Sequence, residues 1–271
     1  MTAADHWRAQ LAAWEIPSEL LAAVTEDPYR WPVEVFRRRN LSADESDPAP
    51  TTGIVQRLAG PGGSVLDIGA GTGRASIPLA RSGHPVTAVE KSEPMAEALR
   101  QETVDFPEYR IVEDAWPLAE DPGAFDVVMA AHVVYDVSAI ETFIQAMDAH
   151  SRRGVVLELT ESHPWTPLGG YYRVLHGIDR PNGPTADDLV AVIAEVVGVV
   201  PQVERWERPG GTWFESWDEI VELYRRRLVV PDDRVDEVRP LLEPDVSEID
   251  GRLTVGGTVR RLATVWWPAS D

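Results

Sequence analysis

The chain has 271 residues, 44% of them hydrophobic, a formal net charge of −20 and no cysteine. Its length allows one large domain or one domain with an appendage, and the missing cysteines exclude disulfides, thiolate metal sites and cysteine nucleophiles. The charge repels phosphate backbones and anionic lipids, so neither nucleic acid nor a membrane is expected as a partner; the one basic stretch, "YRRRL" (224–228), is flanked by acids.

From the start of the chain, "MTAADHWRAQLAAWEIP" shows no basic leader followed by an apolar run, and no stretch reaches the roughly 18 apolar residues of a membrane span. A soluble, cytoplasmic protein is expected. The stretches "WRAQLAAWEIPSELLAAV" (7–24) and "PVEVFRRRN" (32–40) read as helices carrying Trp7, Trp14, Trp31 and Phe36, followed by an acidic, proline-bearing linker, "SADESDPAPTTG" (42–53). Residues 1–50 are therefore expected to form a helical arm or lid, ahead of a main domain over 51–271.

Next come "SVLDIG", helical "RASIPLARSG", "PVTAVE", helical "EPMAEALRQE", extended "YRIVEDA", "FDVVMAAH", helical "SAIETFIQAMDAHS" and "RRGVVLELT". Short apolar strands separated by helices indicate parallel pairing with right-handed crossovers, an α/β doubly wound sheet. "GGYYRVLHGIDRPNGPT" (169–185) reads as a loop, and "TADDLVAVIAEVVG" (185–198) as a helix capped by Thr185. "PQVERWERP" (201–209) and "GTVRRLATVWWPA" (257–269) read as late strands. "SWDEIVELYRRRL" and "DDRVDEVRPLL" read as helices of an insertion at about 213–250, before the last strand. Trp206, Trp213, Trp217, Trp266 and Trp267 are expected mostly in the core.

Gly69, Gly71 and Gly73 fall where the first strand turns into the first crossover helix, the crevice position of an open parallel sheet. Glycine there permits positive φ and lets a ligand lie on bare backbone, so a nucleotide-like ligand is expected. The dinucleotide fingerprint fails, because position 74 is Arg and the spacing is DxGxGxG with Asp67 two residues ahead. A carboxylate at that place suits a ligand bearing an ammonium group and no phosphate. Taken alone, the glycines also fit a flavin or nicotinamide site.

"VLDIGAGTG" resembles the first motif of the class I, Rossmann-like S-adenosylmethionine-dependent methyltransferases, and the resemblance continues in order through about residues 53–160. It implies a mostly parallel seven-stranded sheet and S-adenosylmethionine as cofactor, with S-adenosylhomocysteine as product. It places Asp67, Gly69, Ala70, Gly71 and Gly73 along the methionine and ribose portion, and Glu90 at the ribose hydroxyls with Lys91 and Met95 following. Asp114, Ala115 and Trp116 in "VEDAWPL" fall at the adenine. In "FDVVMAAHVVYDV", Asp126 opens the fourth strand and Ala131, His132 and Val133 lie beneath the reactive methyl.

Methyl transfer is an in-line displacement that demands alignment, exclusion of water and, for some acceptors, removal of a proton. His132 and His163 are the candidate bases, because an ordinary histidine titrates near 6.5; a lone histidine is nevertheless more often structural. Tyr135, Asp136 and Glu161 also lie at strand ends, and Tyr172, Arg173, His176 and Arg180 in the glycine-rich loop are candidates to face a substrate. No metal is expected, since no spacing such as HxxxH occurs. The leading expectation is methyl transfer to a small molecule through an O, N or C nucleophile. The alternatives are an RNA or protein methyltransferase, against which the charge and "AAHV" in place of an Asn/Asp-Pro-Pro-Tyr/Phe tetrad speak, and a non-catalytic binding protein that kept the fold.

Overall fold

The structure, a computed structural model, describes residues 1–29, 49–209, 213–249, 251–256 and 259–269. Among the described residues ten strands form: β1 Val65–Ile68, β2 Val86–Val89, β3 Tyr109–Val112, β4 Phe125–Ala131, β5 Ser151–Thr160, β6 Gln202–Pro209, β7 Trp213–Phe214, β8 Val246–Ile249, β9 Arg252–Val255 and β10 Val259–Pro268. Seven of them make one sheet in the order β3-β2-β1-β4-β5-β10-β6. β1 to β5 pair in parallel, while β10 runs antiparallel between β5 and β6. This is the doubly wound, mostly parallel seven-stranded sheet anticipated from the alternation of strands and helices. The winding reverses between β1 and β4, which opens the crevice at the carboxyl ends of those two strands.

The helices are α1 Ala3–Ala12, α2 Ser18–Ala22, α3 Pro50–Ala59, α4 Ile77–Arg81, α5 Glu93–Glu102, α6 Ile140–Ala149, α7 Gly169–His176, α8 Ala186–Val196, α9 Trp217–Arg227 and α10 Val238–Leu242. Because successive strand residues point to opposite faces, the sheet is apolar on both. Val65, Val127, Met129 and Val156 pack on Ile54, Val55 and Ala59 of α3 and Leu79 of α4. Leu66, Ile68, Val128, Val155 and Leu157 pack on α6, α8 and α1. Thr185 caps α8 through a reciprocal bond with Asp188, as its sequence implies.

Trp7 of α1 is fully buried in that second layer, with its indole N–H on the Val137 carbonyl at 2.9 Å. In space α1 thus shares a core with the sheet. A separate core joins Trp14 and Ile16 to Trp165, Tyr172 of α7, and Phe214, Ile220, Leu223 and Leu242 of the late segment.

Four readings of the sequence change. α3 begins at Pro50, inside the stretch read as linker; proline at the first helical position is preorganised for a helix, while Gly53 masks the pattern. Residues 169–176 are helical, not loop: two glycines weaken the local preference, but burial of Tyr172 outweighs it and Gly177 at φ 67° ends the helix. The late segment is not purely helical, because β7, β9 and β8 pair as an antiparallel sheet within it and residues 232–237 form a 3-10 turn before α10. Among the five late tryptophans only Trp267 is fully buried; Trp213 and Trp217 are half-covered by the guanidinium groups of Arg252 and Arg239, at 4.2 and 4.7 Å. The helix read at 32–40, with Trp31 and Phe36, and the acidic stretch 42–48 lie outside the described residues. Among the described residues no helix is long and apolar enough to cross a membrane.

Candidate active site

The turn after β1 uses its three glycines for different reasons. Gly69, Gly71 and Gly73 have φ of 67°, 58° and 85°, where an L side chain is strained. A Cβ on Gly69 would meet Val133 at 2.5 Å and one on Gly73 would meet Ile77 and Leu99 at 2.6 Å, so these two allow close packing of the turn. At Gly71 nothing lies within 4 Å, and that bare backbone faces open space.

The Gly71 N–H donates to Glu90 at 2.8 Å, and the Ser92 N–H donates to the other oxygen of the same carboxylate at 2.8 Å. Glu90, directly after β2, is thereby fixed at the lip of the glycine turn with lone pairs to spare. Behind the turn Asp67 is 1% exposed, and neither of its carboxylate oxygens has a hydrogen-bond partner. The neighbouring Ser76 hydroxyl is engaged with Tyr109 at 2.7 Å. Burial pushes the Asp67 pKa up to about 7, against the smaller opposing pulls of Ser76 and Arg74. Lys91 is exposed and Met95 half-buried beyond Glu90; Asp114 and Ala115 are exposed after β3, with Asp114 accepting from the Ala115 N–H at 2.7 Å. Trp116 packs half-buried against α6, its indole N–H on the Phe143 carbonyl at 3.4 Å and its ring edge-on to His150 at 5.4 Å. The parallel ends of β1, β2 and β3 therefore bring the glycine turn, Glu90 and Asp114 to one edge of the sheet, while Trp116 turns to α6.

At the end of β4, beside Ala131, His132 adopts a left-handed φ of 61°, a conformation uncommon outside glycine that marks a constrained position. Its N–H bonds the Glu158 carbonyl at 2.8 Å. Glu158, 2% exposed on β5, is the hub of a polar cluster missed in the sequence. Its oxygens accept from Arg74 and Thr51 at 2.6 Å each, and His132 Nε2 lies 3.1 Å away without hydrogen-bond alignment. Burial alone would raise Glu158, but Arg74 and His132 hold it well below the usual carboxylate range. The available signal was one charged residue inside the apolar run "GVVLELT", and an arginine immediately after the glycine motif.

Hydrogen bonds fix the direction of the neighbouring chain. Thr160 gives its hydroxyl proton to the Ser162 carbonyl at 2.6 Å, so it accepts from Tyr135 at 2.7 Å, and the Thr160 N–H donates back to Tyr135 Oη. Tyr135 Oη therefore faces His132 Nδ1, 3.3 Å away, as an acceptor. The other ring nitrogen, Nε2, faces the Glu158 carboxylate, so both ring nitrogens look onto acceptors. Burial lowers the His132 pKa to about 3, only partly opposed by Glu158, and the same burial raises Tyr135 to about 12.

Of the remaining candidates, His163 adjoins this cluster, edge-on to the Tyr135 ring at 5.7 Å. His163, also lowered to about 3 by burial, stacks on Trp14 at 4.2 Å and accepts from the Trp165 N–H at 3.3 Å. Tyr172 donates to the Arg227 carbonyl at 2.7 Å and His176 bonds the Leu228 carbonyl at 2.6 Å, tying α7 to the end of α9. Arg180 reaches the Trp14 and Glu15 carbonyls at 3.2 and 3.1 Å and lies over the Tyr172 ring at 4.1 Å. Arg173 pairs with Asp179 at 2.5 Å on the surface, and Glu161 with Arg205 at 3.2 Å. Asp136 lies at the mouth of the crevice, its pKa raised by burial against the opposing charges of Lys91 and Arg227. Among the described residues no three His, Asp or Glu side chains gather as a metal site.

The sequence profile described as "Methyltransferase domain" matches residues 44–196, more than half of the chain. The chain belongs to this methyltransferase family. Over 112 residues the chain is 32% identical to a ubiquinone biosynthesis O-methyltransferase of Xanthomonas campestris pv. campestris, covering 40% of this chain and 46% of that protein. A second relative of that name, from Paramagnetospirillum magneticum, is 33% identical over 129 residues, covering 45% and 47%. The chain thus spans about half the length of the curated relatives it matches. Among solved structures, a Bacillus halodurans protein provisionally assigned as a methyltransferase superimposes with a TM-score of 0.55 at 13% identity, covering 82% of this chain and 99% of its own. A provisional methyltransferase from an antibiotic biosynthesis pathway of Anabaena variabilis gives 0.52 at 21% identity, covering 79% and 95%. These two show the fold of the methyltransferase domain. The cofactor of the family is S-adenosylmethionine, and the turn fits it: Asp67 offers an unpartnered buried carboxylate, Glu90 a held one, and Gly71 a bare backbone.

Proposed function

We propose that this protein transfers the methyl group of S-adenosylmethionine to a small-molecule acceptor. The observation that carries the reading is the β1 turn, where an orphaned Asp67, an open Gly71 and a Glu90 anchored by two backbone N–H groups converge. Glu90 would hold the ribose hydroxyls, Asp67 the ammonium end, and Asp114 with Trp116 the adenine. When bound, the cofactor supplies an electrophilic methyl on a sulfonium; the acceptor's lone pair bonds that carbon while the carbon–sulfur pair returns to sulfur.

The chain's own contribution is position and one proton. The His132 side chain is 20% exposed at the end of β4, with its Nε2 buried against Glu158 at 3.1 Å. A base with a pKa near 3 is weak against a free alcohol or amine. It is sufficient against an acceptor that gains positive charge as the methyl arrives, since that charge makes the proton acidic. A proton gained by the imidazole is stabilised by the Glu158 carboxylate, 3.1 Å from Nε2. The ordinary value of 6.5 that recommended a histidine does not apply at this site.

The small-molecule reading is supported by the net charge of −20, which disfavours RNA, and by the names of the curated relatives, O-methyltransferases of ubiquinone biosynthesis. Calorimetric titration with S-adenosylmethionine, S-adenosylhomocysteine, NADH and ATP is the test. Binding of the first two alone is expected, and E90A is expected to weaken it by about 1.5–3 kcal/mol through loss of a charge-assisted contact. Binding of NADH, or affinity unchanged in E90A, overturns the assignment. Labelled methyl appearing in no acceptor of a metabolite panel, despite tight cofactor binding, would favour a binding protein without turnover.

A further inference from the structure

We infer that the acceptor carries an anionic group, held by the paired guanidinium groups of Arg208 on β6 and Arg260 on β10. The inference rests on the methyl-transfer reading and names the chemical class of its substrate.

Arg260 and Arg208 stand directly opposite each other in the antiparallel pairing of β10 with β6. Continuing along β10, Leu262 opposes Thr160 and Thr264 opposes Glu158 of β5. Alternation puts all of these on one face, the face that also carries Asp67 and is covered by α3. The two arginines therefore lie at the carboxyl edge of the parallel strands, about 7 Å along the strand from the level of Thr160. Arg260 acts electrostatically on both His132 and Tyr135, and Arg208 on Tyr135, so the pair flanks the proposed base.

Neither guanidinium makes a hydrogen bond or an ion pair with any described residue, although the chain holds 45 acidic side chains. Arg261, next in sequence but on the opposite face, pairs with Glu207 at 3.2 Å as a surface arginine ordinarily does. Glu158, the carboxylate whose field reaches both, is already engaged by Arg74 and Thr51. Both arginines are half-buried; burial lowers each, Arg208 to about 10, the Arg74 charge adds to both, and Arg260 adds to Arg208. Like charges directly opposite in a sheet destabilise it, and half-buried cations without partners add a desolvation cost. An anion placed across the fork of the two groups would remove both costs through bidentate, charge-assisted bonds. Its distance from His132 requires the acceptor's nucleophile and its anionic group to be several atoms apart.

Benzoate, phenyl phosphate and benzamide are titrated into the protein at constant ionic strength, with and without saturating S-adenosylhomocysteine. The titrations are repeated on R208Q/R260Q and on the single variant R208Q. Binding of benzoate or phenyl phosphate is expected, at least tenfold tighter than benzamide; whichever anion is preferred identifies the acceptor's group as carboxylate or phosphate. The double variant is expected to lose that preference, the single variant to lose part of it, and both to bind S-adenosylhomocysteine within twofold of wild type. Benzamide binding as well as the anions, no binding of either anion, or anion affinity unchanged in the variants overturns the inference. Failure of S-adenosylhomocysteine to bind wild type is a failure of the cofactor assignment instead, and the anion titrations without it still read the arginine pair.

Discussion

Asp67 places a carboxylate where the fold gives it no hydrogen bond, and its pKa of about 7 follows from that burial. A carboxyl raised from 3.8 in the unfolded chain to about 7 in the folded one favours folding fully below the lower value, and that contribution is lost as pH rises through the higher. D67N should therefore be more stable than wild type at about pH 8, by on the order of 3–4 kcal/mol, and no more stable at about pH 4, read by urea denaturation. The same variant should bind S-adenosylmethionine more weakly, and wild-type affinity should fall as pH drops through about 7. An asparagine variant that binds as tightly as wild type would remove Asp67 from the ammonium site. At His132 the proton is held off by burial, so kcat should show no ionisation near 6.5 belonging to this residue. H132A should lower kcat far more than cofactor affinity; the reverse result would make His132 part of the cofactor wall.

Among elements, the contact between the glycine turn and β5 depends on one buried ion pair. Arg74, in the turn that leads to α4, reaches Glu158 on β5 at 2.6 Å, with Thr51 of α3 on the other oxygen. A buried carboxylate is tolerated when its partners are in place and is costly when one is removed. R74A should cost about 3–5 kcal/mol in urea denaturation, and R74A/E158Q should recover part of it, because the second change removes the stranded charge. Additive losses in the double variant would mean that the two side chains do not act as a pair.

Across the whole molecule, two cores are built from distant parts of the chain. α1 joins α6 and α8 on the sheet through Trp7, whereas residues 14–16 turn away to pack with α7 and the late segment. W7A should lower global stability by about 3–5 kcal/mol, with a corresponding fall in Tm. If residues 1–12 served only as a lid, the same variant would change KM and leave Tm where it is. The net charge of −20 acts at this scale too: with so negative a surface, an uncompensated cationic pair such as Arg208 and Arg260 is local and specific, and raising ionic strength should weaken benzoate binding without affecting S-adenosylhomocysteine.

What could be read from the amino acids alone was the part written in contiguous residues. Asp67, Gly69, Gly71 and Gly73 lie within one turn, Glu90 follows the next strand, and the helix α5 runs over the ten residues its pattern marked, so local chemistry and periodicity suffice for the doubly wound sheet and its glycine turn. The tertiary structure alone decided the residues brought together from far apart: Thr51, Arg74 and His132 gather on Glu158 of β5, and the pairing of β10 with β6 sets Arg260 opposite Arg208. It also decided which polar groups are desolvated. Burial moved Asp67 to about 7 and His132 to about 3, and a pKa set by burial depends on everything packed around the group, which no local stretch of sequence encodes.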